Sequence, residues 1–291
     1  MKVHLVDGTY ELFRAYFGAP PATTASGQEV GATRGVLRTL IHLLTAQGAT
    51  HVGIAFDTVI ESFRNELFAG YKTGDGIEAP LKTQFPIVER ACEALGVVVW
   101  RMIEHEADDA LATAAARFAE EPEVEQVVIC SPDKDLGQCL VGDRVVRLDR
   151  MRNTVMNEAG LREKLGIAPA TVPDWLALVG DTADGIPGVA RWGEKSASAV
   201  LGAYGSLEAI PDDPRAWKVK VRGAEALAAS LAAHRQEALL YRTLATLRRD
   251  VPLPQRRAED LAWRGADREL VAAIAAELED DGLVARIPRW R

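Results

Sequence analysis

Short apolar runs alternate with amphipathic stretches through the first half of the chain. Five runs predict β-strands, at residues 3–6, 51–56, 97–100, 126–130 and, more weakly, 144–148. Apolar residues at helical spacing between them predict helices at residues 33–47, 81–95 and 107–118. Because parallel strands need a crossover connection, this alternation indicates an α/β fold with a mainly parallel central sheet flanked by helices.

The pattern changes in the second half of the chain. From about residue 158 the strand signals stop, and helical stretches follow at residues 175–179, 195–203, 225–247 and 269–279. We therefore predict an α/β domain over residues 1–166 and a helical region over residues 167–291. Residues 70–80 include three glycines among residues of mixed polarity, which predicts a mobile loop.

Acidic residues follow the first four predicted strands. These seven residues are Asp7, Asp57, Glu106, Asp108, Asp109, Asp133 and Asp135. The carboxyl ends of parallel strands meet at one edge, where open α/β sheets bind ligands, so we expect all seven at the same rim. Asp181 and Asp184 are three residues apart in the helical region, and one helical turn would place both on one face.

So many carboxylates at one rim would repel each other unless cations neutralised them. Oxygen ligands without nearby histidine or cysteine favour Mg²⁺ or Mn²⁺ over zinc. Two such ions about 3.5–4 Å apart can activate water and stabilise an in-line phosphoryl displacement. Each acid taken singly could instead cap a turn or a helix. Acid at four consecutive strand ends is harder to explain in that way, so we favour a metal site.

The charge of the chain bears on a nucleic-acid ligand. The chain has 34 basic and 42 acidic side chains and a net charge of -8, whereas nucleic-acid binders are usually basic. Setting the nine candidate ligands aside leaves 33 of the 42 acids against the 34 basic side chains. Composition therefore neither supports nor excludes DNA as a ligand.

Other compositional signals point to a cytoplasmic protein. No apolar run approaches the roughly 20 residues that cross a bilayer, and the first residues lack a secretion signal. The three cysteines match no zinc spacing, and we expect buried free thiols in a reducing compartment.

An ordered set of motifs resembles the bacterial 5′→3′ exonuclease family, which includes flap endonucleases and the 5′ nuclease domain attached to DNA polymerase I. The motifs are Val6-Asp7-Gly8, Arg14-Ala15-Tyr16-Phe17, Phe56-Asp57, Ser62-Phe63-Arg64, Tyr71-Lys72, Glu106-Ala107-Asp108-Asp109, Ser131-Pro132-Asp133-Lys134-Asp135-Leu136, Gly180-Asp181, Asp184-Gly185-Ile186-Pro187-Gly188-Val189 and Gly193-Glu194-Lys195-Ser196-Ala197. A weaker match extends over residues 246–253.

The resemblance implies roles for individual residues. It implies that the nine acids together hold two divalent metal ions, for which we expect Mg²⁺ or Mn²⁺. It also implies that Lys72 is a catalytic lysine that positions the scissile phosphate. With Lys72, we expect Asp7, Asp133 and Asp135 to act most directly in catalysis. Arg64 is either a phosphate contact or an ion-pair partner.

The segment at residues 186–197 resembles the helix–hairpin–helix element with which the family grips duplex DNA. Gly188 and Gly193 would let backbone N–H groups approach phosphate, and Arg191 and Lys195 would add charge. The resemblance also implies a potassium ion at this element.

The expected protein is thus a PIN-like nuclease domain followed by a helical DNA-binding region. It would be a stand-alone 5′→3′ exonuclease and flap endonuclease with a two-metal mechanism, acting as a monomer on DNA with a 5′ flap, a nick or a single-strand/duplex junction. No polymerase domain follows, so a polymerase would be a separate partner. The alternatives are a PIN-type ribonuclease, a haloacid-dehalogenase-like phosphatase and a non-catalytic junction-binding module. The phosphatase would need an aspartate at position 9, where Thr9 stands.

Three positions depart from the family pattern. Asp75 stands where a basic residue is common, in a region that forms the gateway for the 5′ strand, and a carboxylate there would repel phosphate. Ala190-Arg191-Trp192 replaces a Pro-Gly-Ile type sequence, so Arg191 would add charge while Trp192 would pack. Gly185 stands where asparagine is common.

Overall fold

The apolar runs of the first half form strands that are buried on both faces, as expected for a parallel sheet covered by helices. The computed structural model describes residues 1–291. The strands are β1 (Lys2–Asp7), β2 (His51–Asp57), β3 (Val98–Met102), β4 (Gln126–Cys130), β5 (Val145–Asp149) and β6 (Thr154–Met156). The helices are α1 (Gly8–Gly18), α2 (Gly31–Thr45), α3 (Phe63–Leu67), α4 (Ala79–Lys82), α5 (Phe85–Ala94), α6 (Ala107–Ala119), α7 (Glu158–Leu165), α8 (Val172–Val179), α9 (Glu194–Tyr204), α10 (Ala224–Ala233), α11 (Arg235–Ala245) and α12 (Arg268–Glu277).

One compact unit holds the parallel strands and consists of Met1–Ser62, Gly74–Ser131 and Arg249–Arg291. Its strands are ordered β3-β2-β1-β4, and each neighbouring pair is parallel. In the register, Val6 of β1 lies between Ile54 of β2 and Cys130 of β4. All four strands therefore end at the same edge of the sheet.

A second compact unit is mainly helical and consists of Phe63–Thr73 and Pro132–Arg248. It contains the antiparallel pair β5–β6 and the helices α3 and α7 to α11. Its core includes Trp175, Leu201 and Leu231, all buried. Residues 132–166 lie in the second unit and residues 249–291 in the first, and the predicted domain boundary at 166/167 stays a prediction.

The predicted fold class is confirmed, with differences in individual elements. The pattern over residues 81–95 forms two helices, α4 and α5, and Pro86 stands in the first turn of α5, where its missing N–H costs no helical hydrogen bond. The stretch over residues 225–247 is divided at His234, whose φ of -124° is not helical. Helix α1 and the short strand β6 were not predicted. None of the helices combines the length and apolar character needed to cross a bilayer.

The cysteines behave as predicted. Cys92, Cys130 and Cys139 are all buried, and none forms a disulfide. Burial raises the pKa of the Cys92 thiol, which keeps it protonated. These thiols therefore act as small apolar groups of the core.

Arg64 lies in the core of the second unit rather than on a surface that DNA could reach. Its side chain is 0% exposed. Its Nε donates to the Leu244 carbonyl at 2.7 Å and a terminal nitrogen donates to the Thr246 carbonyl at 3.0 Å. These carbonyls lie at the end of α11, where helical partners run out. The prediction of Arg64 as a DNA contact is therefore wrong for this structure; the guanidinium closes the end of a helix.

Substitution of Arg64 by methionine is expected to lower the free energy of unfolding by about 3 kcal/mol, because it removes charge-assisted hydrogen bonds and leaves buried carbonyls unpaired. Urea unfolding monitored by circular dichroism measures this loss. Arg162→Met is the control, since the exposed Arg162–Glu158 pair should contribute less than about 1 kcal/mol. Unchanged stability of the Arg64 variant combined with weaker DNA binding would restore the DNA-contact interpretation.

Candidate metal centre

The first two strands of the parallel sheet each end in a buried aspartate with a fixed side chain. Asp7 accepts hydrogen bonds from the Tyr10 amide and from the Ser131 hydroxyl, both at 2.8 Å. Asp57 accepts from the Ala107 amide at 2.7 Å, which ties the end of β2 to the first turn of α6. Asp7 therefore stands at the end of β1 and also caps the first turn of α1.

Helix α6 brings three more carboxylates to this edge of the first unit. Glu106 is buried and accepts from the Ser62 hydroxyl at 2.7 Å, while Asp109 accepts from the Glu106 amide at 3.0 Å. Asp109 and Glu106 form a capping box, and Asp108 beside them is half-buried. The positive end of the helix stabilises these acids.

The second unit contains a tighter group of carboxylates. Oxygens of Asp135, Asp181 and Asp184 all lie within 4.8 Å of one another. Asp133 is exposed nearby, and its Oδ1 accepts from the Asp135 amide at 2.8 Å. The structure therefore brings together three of the four acids predicted for this part of the chain. The expectation that seven acids share one rim and form a single metal site with Asp181 and Asp184 stays a prediction.

Asp181 and Asp184 are brought together by a turn and not by the predicted helix. Helix α8 ends before Gly180, which has a φ of +86°. Asp181 and Ile186 then exchange two backbone hydrogen bonds of 2.8 Å, and the intervening residues form a tight loop. The glycine is needed because L side chains rarely adopt this backbone conformation.

Asp135 has a buried carboxylate oxygen without a hydrogen-bond partner, as a ligand of a divalent cation would have. Its side chain is 5% exposed, and its Oδ1 is buried without a hydrogen-bond partner. Burial, followed by the charges of Asp133, Asp184 and Asp181, raises the pKa of Asp135 well above the usual range. Buried polar atoms are nearly always paired, and a hard divalent cation would pair this one. The oxygen-only donors of this trio fit Mg²⁺ or Mn²⁺.

Two lysines neutralise part of the trio. Lys72 Nζ lies 3.0 Å from Asp184 Oδ1, and Lys134 Nζ lies 3.1 Å from Asp181 Oδ2. The side chains of both lysines are partly exposed, so both ammonium groups can move when a cation or an anion enters. Lys134 was not singled out from the sequence, although its position between two candidate ligands was a usable signal.

Backbone contacts hold Lys72 beside Asp184. The Lys72 amide donates to the Asp184 carbonyl at 3.0 Å. Gly185 has a φ of +73°, and a Cβ atom there would lie 2.2 Å from the Gly70 carbonyl oxygen. Only glycine allows this close approach, which explains the departure from the family pattern at position 185. Within the loop at residues 70–80, which the sequence predicts to be mobile, these contacts fix the backbone at Lys72.

The hairpin at residues 186–197 has the backbone character expected of a phosphate-binding turn. Gly188 and Arg191 have φ values of +72° and +75°, and Gly193 precedes the first turn of α9. Arg191 and Lys195 are exposed. Trp192 is buried in the core of the second unit, as predicted. Contact of these residues with DNA stays a prediction.

The fold and the carboxylates together define a class of protein, an α/β protein with strand-end acids suited to divalent cations. Two family models match: the N-terminal resolvase-like domain of 5′-3′ exonucleases over residues 2–166, and their C-terminal SAM fold over residues 167–269. The chain therefore belongs to the 5′-3′ exonuclease family.

Individual relatives agree with this membership. DNA polymerase I of Pseudomonas aeruginosa is 35% identical over 286 residues, covering 94% of this chain and 30% of that protein. The 5′-3′ exonuclease of Aquifex aeolicus is 34% identical over 209 residues, covering 72% of this chain and 71% of that protein. The chain thus spans less than a third of the polymerase relative but most of the exonuclease.

Solved structures share the fold. A T5 D15 flap endonuclease variant in a pseudo-enzyme-product complex with DNA and metal ions matches with a TM-score of 0.65 and 19% identity, over 98% of this chain and 96% of that chain. The catalytic core of Rad2 in complex with DNA substrate matches with a TM-score of 0.62 and 14% identity, over 98% and 92%.

Proposed function

We propose that this chain is a structure-specific, metal-dependent 5′ nuclease that acts as a 5′→3′ exonuclease and flap endonuclease on DNA. The observation that carries the proposal is the carboxylate trio of Asp135, Asp181 and Asp184, whose ligand oxygens lie within 4.8 Å of one another and in which Asp135 also has a buried, unpartnered oxygen. A purely binding protein would gain nothing from acids that repel phosphate. Family membership supports the same activity.

The proposed ligands of two Mg²⁺ or Mn²⁺ ions are the nine carboxylates of the two units. Five belong to the first unit and four to the second; they are Asp7, Asp57, Glu106, Asp108, Asp109, Asp133, Asp135, Asp181 and Asp184. When bound, divalent ions supply positive charge that acidifies the attacking water and stabilises the phosphate in the transition state.

The remaining steps are assigned to protein groups. Lys72 donates to a phosphate oxygen, because its ammonium already lies beside a proposed ligand and is partly exposed. Asp7, Asp133 and Asp135 are the carboxylates proposed to act nearest to the reacting phosphate. No protein nucleophile is required, since water attacks directly.

Duplex binding is proposed for the hairpin, through Gly188, Arg191, Gly193 and Lys195. Contacts from backbone N–H groups and cations to phosphate recognise shape rather than sequence and weaken with salt. A potassium ion at this turn is part of the proposal. The proposed ligand is DNA with a 5′ flap, a nick or a single-strand/duplex junction, bound by a monomer that works beside a separate polymerase.

Cleavage of a 5′-labelled DNA flap tests the proposal. We expect cutting near the junction with Mg²⁺ or Mn²⁺, complete loss in EDTA and recovery when Mg²⁺ is restored. Nicked, blunt and RNA substrates run alongside. Cleavage of RNA alone would favour the PIN-type ribonuclease, and junction binding without cleavage in either metal would favour the binding module.

A further inference from the structure

A row of cations lies in the second unit, outside the hairpin at residues 186–197. Between Trp217 and Arg222, residues alternate between buried or half-buried and exposed positions. Val219 and Val221 pack against the core of the unit, while Lys218, Lys220 and Arg222 are exposed. We call these three cations the basic strip. Packing of the two valines holds the strip in place.

Two members of the strip, Lys220 and Arg222, line a cleft of about 660 Å³. Arg191 and Lys195 of the hairpin line the same cleft. Glu194 is the single carboxylate among the residues lining this cleft, so the lining is strongly cationic. Such a lining attracts a polyanion.

The cations of the cleft differ from other cations of the second unit. Arg162, Arg215 and Arg235 each form an ion pair with a carboxylate, at 2.9, 3.2 and 2.7 Å. None of the four cations that line the cleft forms an ion pair within 4.0 Å. Four cations without carboxylate partners in one cleft are suited to an anionic ligand.

Helix α9 exposes small residues beside these cations. They include Ala199 and Gly202, and a second cleft of about 720 Å³, lined by Lys164 and Val219, adjoins the same helix. Small residues let a broad ligand lie directly against the helix, next to the cations. A sugar–phosphate backbone has this breadth and this charge.

We propose that the basic strip is a second contact surface for duplex DNA, binding a phosphate backbone together with Arg191 and Lys195. The inference rests on the proposed function and adds a contact surface beyond the hairpin. The cleft is lined by four cations and several small residues, a lining suited to contact with phosphate.

The test is the salt dependence of binding to a blunt DNA hairpin duplex, measured by fluorescence anisotropy in EDTA so that no cleavage occurs. For Lys220→Gln/Arg222→Gln, we expect the slope of log Kd against log salt to fall by about 1.8, since each phosphate contact contributes about 0.9. We expect roughly tenfold weaker binding at 0.1 M salt. Arg162→Gln/Arg215→Gln removes the same charge from paired cations and should leave the slope unchanged.

The outcomes separate this proposal from the proposed function. A slope equal to that of the unaltered protein, or an equal loss in both double variants, overturns the basic strip even when the unaltered protein cuts flaps. A loss confined to a single-stranded oligonucleotide also overturns it. A selective loss on duplex supports the strip even if the unaltered protein cuts no flap, in which case only the nuclease proposal fails. Unchanged melting temperatures confirm that both double variants are folded.

Discussion

Replacing Asp135 by asparagine is expected to lower flap cleavage by at least about 100-fold while raising the thermal stability of the metal-free protein. Cleavage falls because asparagine removes the central anionic oxygen from the trio with Asp181 and Asp184. Stability rises because the same change removes a buried charge that repels its neighbours. A residue with a structural role would lose both properties together.

The stability gain should depend on pH in a defined direction. The pKa of Asp135 is raised in the folded protein, so the folded chain holds this proton more tightly than the unfolded chain. Native stability therefore falls as the pH rises above the unfolded carboxyl value of about 4. The asparagine variant lacks this loss, so its advantage in melting temperature should grow from pH 5 to pH 8 in EDTA.

Melting curves and single-turnover cleavage provide the measurements. Mg²⁺ should raise the melting temperature of the unaltered protein, and this shift should be smaller in the Asp135 variant. Asp174→Asn is the matched control, because Asp174 is equally buried but pairs with Arg242 and the Leu207 amide. It should keep its cleavage rate, because Asp174 lies outside the carboxylate trio. The reverse pattern in the two variants would remove Asp135 from the metal site.

Local patterns in the sequence predicted the parallel part of the fold because each strand there is a continuous apolar run between turns. Helix α1 escaped prediction because it starts at Gly8, directly after the strand-end Asp7, and leaves no polar connector. The turn between Asp181 and Asp184 was taken for a helix. Glycines on either side, Gly180 and Gly185, both with positive φ, were the available signal for a loop.

The features that the sequence did not predict depend on tertiary contacts between distant parts of the chain. The sequence left Arg64 as either a phosphate contact or an ion-pair partner, yet it lies inside the second unit beside carbonyls about 180 residues further along the chain. The role of Gly185 depends on the Gly70 carbonyl, which lies against it and is more than 100 residues away in the sequence. Candidate ligands were easier to predict than their supports, because carboxylate chemistry is carried by residue type whereas close packing depends on distant parts of the chain.

Lys72 and Asp184 lead to the second large expected effect. Lys72→Met should lower the single-turnover cleavage rate by about 10²–10³-fold at saturating metal, because a cation directed at the phosphate is lost. The same variant should bind Mn²⁺ up to about fivefold more tightly in the absence of DNA, because the ammonium 3.0 Å from Asp184 no longer competes for that carboxylate.

This split between turnover and metal affinity distinguishes a catalytic lysine from a structural ion pair. Lys134→Met is the control, since Lys134 pairs with Asp181 at 3.1 Å and should also tighten Mn²⁺ binding, but with only a small change in turnover. Isothermal titration with Mn²⁺ and quenched-flow cleavage measure the two quantities. Equal losses of cleavage rate in both variants would mean that the positive charge of either lysine, and not a specific contact of Lys72 with the phosphate, speeds cleavage. Weaker Mn²⁺ binding in the Lys72 variant would instead show that Lys72 holds Asp184 in position for the metal.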